Sequence, residues 1–169
     1  YRCLKALLDS GEAVCTVVTH QDDPQEHVWF ESVSGLAQAA GVPVLAPDTP
    51  NAPALISHLA MLQPDLLLSF YYRRLLCPAL LALPPLGAIN LHGSLLPKYR
   101  GRAPVNWVLV NGETHTGVTL HYMMAQADAG DIIAQRVVPI AFEDTASTLF
   151  EKVAQAAVEE RPGERVEQA

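Results

Sequence analysis

Two polar side chains close an otherwise apolar segment. In Ala88-Ile89-Asn90-Leu91-His92, the amide of Asn90 and the imidazole of His92 are separated by one residue. Ala88 to Leu91 reads as a short strand, and side chains two apart on a strand project to the same side. An amide N–H can hold a developing oxyanion, and an imidazole can carry a proton near neutral pH. Open α/β sheets hold their ligands at the C-terminal ends of strands, where this pair would lie. Taken singly, each residue is also an ordinary turn or capping residue. A loop of Gly, Pro and cations follows, and Pro104 suits the first turn of the next helix, where its missing N–H costs nothing.

Further groups could join this pair. Asp128 stands in Gln126-Ala127-Asp128-Ala129-Gly130-Asp131, a small-residue turn between two apolar segments, where an aspartate is either a turn former or a functional carboxylate. Lys98, Arg100 and Arg102, with Arg73 and Arg74, could form a basic rim for an anionic ligand, or a solvated loop. Other chemistries find no support. The sequence has no G-x-S-x-G and no Gly-rich phosphate loop ending in Lys-Ser/Thr. His20, His27, His58, His115 and His121 lack zinc-ligand spacing, so no metal is expected. Ser94 follows His92 too closely to form a nucleophile–base pair with a third orienting group.

The elements that must position these groups alternate. Arg2–Ser10 reads as a helix with Cys3, Leu4, Leu7 and Leu8 as its apolar stripe and Gly11 as its stop. Ala13–Thr19 reads as a buried strand, Gln21–His27 as a polar loop, Ser34–Ala40 as a helix closed by Gly41, and Val42–Leu45 as a brief strand. Pro47–Pro53 is a loop, Ala54–Leu62 a helix, Asp65–Phe70 a fully buried strand, and Leu75–Leu83 a helix with Pro78 in its first turn. After the Asn90 strand come a helix, Pro104–Val110, stopped by Asn111-Gly112, and strands over Gly117–Met123 and Ile132–Ile140. Thr145–Val158 is a helix with Thr145 as a cap, and Glu159–Ala169 a polar tail. Strands alternating with helices predict an α/β fold with a doubly wound, mostly parallel sheet and helices on both faces.

With 169 residues, the chain can bury roughly 70% of its unfolded surface as one domain. The net charge of -7 speaks against nucleic acid as a partner. No apolar run reaches the length of a membrane span, so no membrane partner is expected. Three isolated cysteines, Cys3, Cys15 and Cys77, suggest buried thiols in a reducing, cytoplasmic setting.

The segment Asn90-x-His92-x-Ser94-Leu95-Leu96-Pro97-x-Tyr99-Arg100-Gly101 resembles the signature of the folate-dependent formyltransferases. Its extension, Lys98-Tyr99-Arg100-Gly101-Arg102-Ala103-Pro104-Val105-Asn106-Trp107, resembles the UDP-4-amino-4-deoxy-L-arabinose formyltransferase branch, and the likeness runs from about Cys3 to Ala157. The resemblance implies a Rossmann-like catalytic domain over residues 1–158. It also implies a first strand before Tyr1 and a smaller C-terminal domain after the last helix, so that the domain is truncated at both ends. It implies 10-formyltetrahydrofolate as donor and a UDP-4-amino sugar as acceptor, a step in lipid A modification and polymyxin resistance. By residue, it implies Asn90 as oxyanion stabiliser, His92 as general acid/base and Asp128 as the carboxylate that favours the charged imidazole. Folate contacts fall on Arg74, Leu75 and Leu76, on Arg102, and on Met124, Ala125, Gln126 and Ala127. A fused or separate decarboxylase domain and a homo-oligomer stay open. The alternatives are methionyl-tRNA formyltransferase, which shares the catalytic residues, a formyltetrahydrofolate hydrolase, and a non-catalytic folate-binding remnant. Against the tRNA enzyme stand the acidic charge and Arg102, where that branch usually has alanine.

Overall fold

A computed structural model describes residues 1–20 and 31–158; the expected Gln21–His27 loop and the 159–169 tail lie outside the described residues. The chain divides into two compact units, Tyr1–Pro64 and Asp65–Ala169.

In the first unit, α1 (Arg2–Asp9), α2 (Val33–Ala39) and α3 (Pro53–Met61) accompany two short strands, β1 (Val17–Val18) and β2 (Val44–Leu45), paired in parallel. Helix α1 buries Leu4 from its apolar stripe and ends where Gly11 takes a φ of 79°. Helix α2 begins on Ser32, whose hydroxyl accepts the Gly35 N–H at 3.1 Å, and closes at Gly41. The expected buried strand over Ala13–Thr19 shrinks to two half-buried valines. Its partner segment is bounded by Pro43 and Pro47, which have no N–H to continue the ladder. The cysteines also differ from expectation: Cys15 is exposed, and Cys3 and Cys77 are only partly covered. Cys15 precedes the short ladder rather than lying in it, and partial burial pushes the Cys3 thiol above its ordinary pKa.

The second unit holds Asn90, His92 and Asp128. Its sheet has the order β3 (Leu67–Phe70), β4 (Ala88–His92), β5 (His115–Tyr122), β6 (Ile132–Pro139). β3 and β4 are parallel, whereas β4–β5 and β5–β6 are antiparallel, so the α/β class holds with a mixed sheet. β3 lies at the edge of this sheet. Only Ser69 in it is buried, a correction to the fully buried strand expected there. The expected Leu75–Leu83 helix is a single turn, α4 (Pro78–Leu81). Pro78 holds Cys77 extended (ψ 157°) and so sets the start, and Pro84-Pro85 closes the other end. Helix α5 (Pro104–Val110) has Pro104 at its start and stops at Asn111, with Gly112 at a φ of 66°.

Helix α6 (Ala146–Val158) packs against α5, β5 and β6. It buries Leu149, Val153 and Ala156, a stripe at helical spacing. Thr145 caps it, its hydroxyl accepting the Thr148 N–H at 3.3 Å. With Val105, Val108, Val118, Val138, Ala88 and Leu91 these residues make the core under β4 and β5. Each fully buried Val or Leu contributes about 1.5–3 kcal/mol.

Candidate active site

β4 places Asn90 and His92 on one face, as the strand period requires, and His92 is 7% exposed. The antiparallel register sets Asn90 opposite His121 of β5, at a bulge between Leu120 and His121. Asp128 arrives from the β5–β6 loop with a left-handed φ of 50°. The turn depends on Gly130: a Cβ there would lie 1.8 Å from the Tyr122 carbonyl oxygen, so only glycine allows this close approach. The structure thus brings Asn90, His92 and Asp128 together around a fourth group.

That group is His121, 1% exposed. Its Nδ1–H donates to the Tyr122 carbonyl at 2.8 Å. Its Nε2 faces Asn90 Nδ2 at 3.2 Å and Asp128 Oδ1 at 3.6 Å. In its neutral form it accepts from the Asn90 amide, which fixes the amide's rotation and leaves the second Nδ2–H for an oxyanion. The sequence reading named His121 only among histidines without zinc spacing. The β4–β5 register is the signal that reveals it, and pairing is not visible in a linear motif.

His92 is held at both nitrogens. Its Nε2–H donates to the Tyr99 carbonyl at 2.9 Å, which leaves Nδ1 facing Asp128 Oδ1 at 3.6 Å. That separation suits an ion pair, with the imidazole free to exchange its Nδ1 proton. Asp128 Oδ2 accepts the Gly101 N–H at 2.8 Å. Burial pushes the Asp128 carboxyl up. The His121 contact, the Gly101 N–H and the positive charge that His92 and His121 can carry outweigh it, so the carboxyl lies below its ordinary value.

The loop after β4 is braced from beneath. Thr119 Oγ1 donates to the Ser94 carbonyl at 2.6 Å and accepts from the Leu96 N–H at 3.0 Å and from Gln135 Nε2 at 2.9 Å. Ser94, fully buried, donates to the Lys98 carbonyl at 2.7 Å, a structural role in keeping with its exclusion as a nucleophile. Gly117 lets this loop lie close to the sheet, since a Cβ would stand 2.5 Å from Leu95 Cδ2 and 2.1 Å from the Arg136 carbonyl. Tyr99, Ala103 and Asp128, non-glycine residues at φ 57°, 53° and 50°, surround the site. Each such residue costs roughly 1–3 kcal/mol, which the brace must offset.

The expected folate contacts fall on two exposed segments. Leu75 is 71% exposed beside Arg74 and half-buried Leu76, and Met124 is 53% exposed ahead of Ala125, Gln126 and Ala127, all exposed. Arg102 Nη2 donates to the Arg73 carbonyl at 3.4 Å, which ties its loop to the Arg74–Leu76 segment. Met124–Ala127 leads directly into Asp128. Lys98 is exposed on the same loop as Arg100 and Arg102. Among the described residues no cluster of His, Cys, Asp or Glu is placed to hold a metal ion, and no helix is long and apolar enough to cross a membrane.

The fold has counterparts among solved structures. A phosphoribosylglycinamide formyltransferase from Bacillus halodurans matches with a TM-score of 0.80 and 27% identity, over 94% of this chain and 85% of that one. A glycinamide ribonucleotide transformylase from Geobacillus kaustophilus matches at 0.77 and 30%, over 94% and 88%. A formyltetrahydrofolate deformylase from Pseudomonas syringae shares the fold at 0.76 and 22% identity, over 92% of this chain and 53% of its own length. The formyl transferase family model matches residues 2–162, so nearly all of the elements above are those of the family. A match over so much of the chain makes this protein a member of the formyl transferase family.

Proposed function

We propose that the protein transfers a formyl group from 10-formyltetrahydrofolate to the primary amine of a UDP-4-amino-4-deoxy-L-arabinose-type sugar nucleotide, with Asn90, His92 and Asp128 as the catalytic residues. The observation that carries the chemistry is the convergence of these three groups, with Asn90 Nδ2 and His92 Nδ1 on one face of β4. The acceptor rests on the Lys98–Trp107 motif. The donor is assigned to the exposed Arg74–Leu76 and Met124–Ala127 segments and to Arg102, where apolar side chains and backbone could flank a planar ring.

In this reading the acceptor amine attacks the formyl carbon and a C–N bond forms. The Asn90 Nδ2–H holds the resulting oxyanion; such a donor is worth roughly 10²–10³ in rate. His92 takes the proton released by the attacking nitrogen at Nδ1, and Asp128 stabilises the imidazolium that forms. His92 then returns the proton to the folate nitrogen as its bond to the formyl carbon breaks. Tyr99 holds Nε2 throughout, so only one imidazole nitrogen exchanges protons.

A second reading, glycinamide ribonucleotide as acceptor, is favoured by the names of the matching structures. Both acceptors are amines on phosphorylated sugars. Formylation rates measured with each, and donor hydrolysis measured without acceptor, separate the readings. The expected result is the higher kcat/KM on the UDP-4-amino sugar. Preference for glycinamide ribonucleotide, or hydrolysis alone, would overturn the proposed acceptor.

A further inference from the structure

A recess of about 510 Å³ opens beside the triad, lined by Tyr99, Arg100, Arg102, Trp107 and Asn111. Its volume falls in the range of small-molecule sites. Trp107, on α5, is 55% exposed, an indole face presented to solvent. Arg100 is exposed and makes no ion pair among the described residues. Asn111 gives an Nδ2–H to the Trp107 carbonyl at 2.9 Å and meets the Tyr99 hydroxyl, so its amide ties two residues of the wall together. Glu113 meets this wall at the Tyr99 hydroxyl, which donates to it at 2.7 Å. That hydrogen bond, with burial, raises the phenol above its ordinary pKa and keeps it a donor. On a chain of net charge -7, a guanidinium without a carboxylate partner in a concave wall selects an anion, and an indole face selects a planar ring.

We propose that this recess is the subsite for the nucleoside diphosphate part of the acceptor, with the base stacked on Trp107 and the phosphate oxygens held by Arg100. The inference rests on the acceptor reading above and adds where the non-reacting end of that substrate sits. One loop connects the two places. Tyr99 gives its carbonyl to His92, Gly101 gives its N–H to Asp128, and Tyr99, Arg100 and Arg102 form the recess wall. A phosphate in the recess would therefore touch the loop that orients both catalytic groups. Arg102, turned to the Arg73 carbonyl, marks the edge toward the expected folate segments.

Calorimetric titration of UDP into the protein at low ionic strength tests this, beside Trp107→Ala, Arg100→Gln and Arg100→Lys. Saturable UDP binding is expected, weakened about tenfold or more by Trp107→Ala and by Arg100→Gln, and less by Arg100→Lys. In the transfer assay the same variants should raise KM for the UDP-4-amino sugar by a similar factor and leave kcat within about twofold. Arg100 is exposed, so an unchanged unfolding midpoint in Arg100→Gln separates lost binding from lost folding. No UDP binding, or UDP binding indifferent to both positions, overturns the subsite even if the sugar nucleotide is formylated. Competition between UDP and 5-formyltetrahydrofolate, with folate binding lost in Trp107→Ala, assigns the recess to the aromatic and carboxylate tail of the donor and also overturns it. Failure to formylate the UDP-4-amino sugar while UDP still binds through Trp107 and Arg100 counts against the acceptor reading alone.

Discussion

Asp128 is the residue through which the site is electrically coupled. It accepts the Gly101 N–H and lies 3.6 Å from both His92 Nδ1 and His121 Nε2. Its depressed carboxyl pKa has a consequence for stability. A carboxyl held lower in the folded state contributes stability that is fully present above its unfolded pKa, near 4, and is lost as pH falls through the folded value. Asp144, lowered by Lys152, the Ala141 N–H and Thr148, acts in the same direction. Acid unfolding of Asp128→Asn should therefore show a weaker loss of stability below about pH 4 than the wild type. Equal acid limbs would contradict this. For turnover, Asn90→Ala, His92→Ala and Asp128→Asn should each lower kcat by about 10²-fold or more. Double variants should lose far less than the product of the single losses. His121→Gln should act through Asn90, lowering kcat by a smaller factor while binding of the donor persists. Asn90 and His92 were legible because their chemistry lies in one short stretch. His121 was not, because its role exists only once β4 and β5 pair.

The elements show which local rules were enough. Pro104 and Asn111-Gly112 mark both ends of α5 in sequence, and the helix begins and ends there. Thr145 likewise announced α6. The strands were less legible, since a β-branched run states a preference and only a partner makes a ladder. Ala13–Thr19 keeps two paired residues because Pro43 and Pro47 frame its partner. The brace under the active loop was invisible for the same reason: Thr119, Ser94 and Gln135 are far apart in sequence. Thr119→Val keeps the shape and removes the hydroxyl, which strands the Leu96 N–H and takes the donor from the Ser94 carbonyl in a buried place. A loss of roughly 1–3 kcal/mol in chemical denaturation is expected, with kcat reduced as the loop holding Tyr99 loosens. Gly130→Ala should cost at least as much and detach Asp128 from His92, because the added methyl meets backbone rather than a side chain that can swing away. Unchanged stability in either variant would refute the corresponding role.

Across the whole molecule, charge and surface chemistry decide between partners. A protein of net charge -7 has little to offer a polyphosphate by counterion release, yet Arg100 and Arg102 concentrate positive charge beside the site. Binding to initiator tRNA should be weak, with no saturation at micromolar protein, whereas a phosphorylated small molecule should saturate. Tight, specific tRNA binding would reverse that ranking. The fold class was readable from the alternation of elements, while the antiparallel turn of β4–β6 needed the three-dimensional register. Transfer of the labelled formyl group from 10-formyltetrahydrofolate to an amine acceptor, followed in wild type and in His92→Ala, bears on all three scales. Label should reach the acceptor amine in the wild type, and His92→Ala should bind the donor normally but transfer at least about 10²-fold more slowly. Near-normal transfer by His92→Ala would contradict the assignment of the β4 face as the catalytic centre.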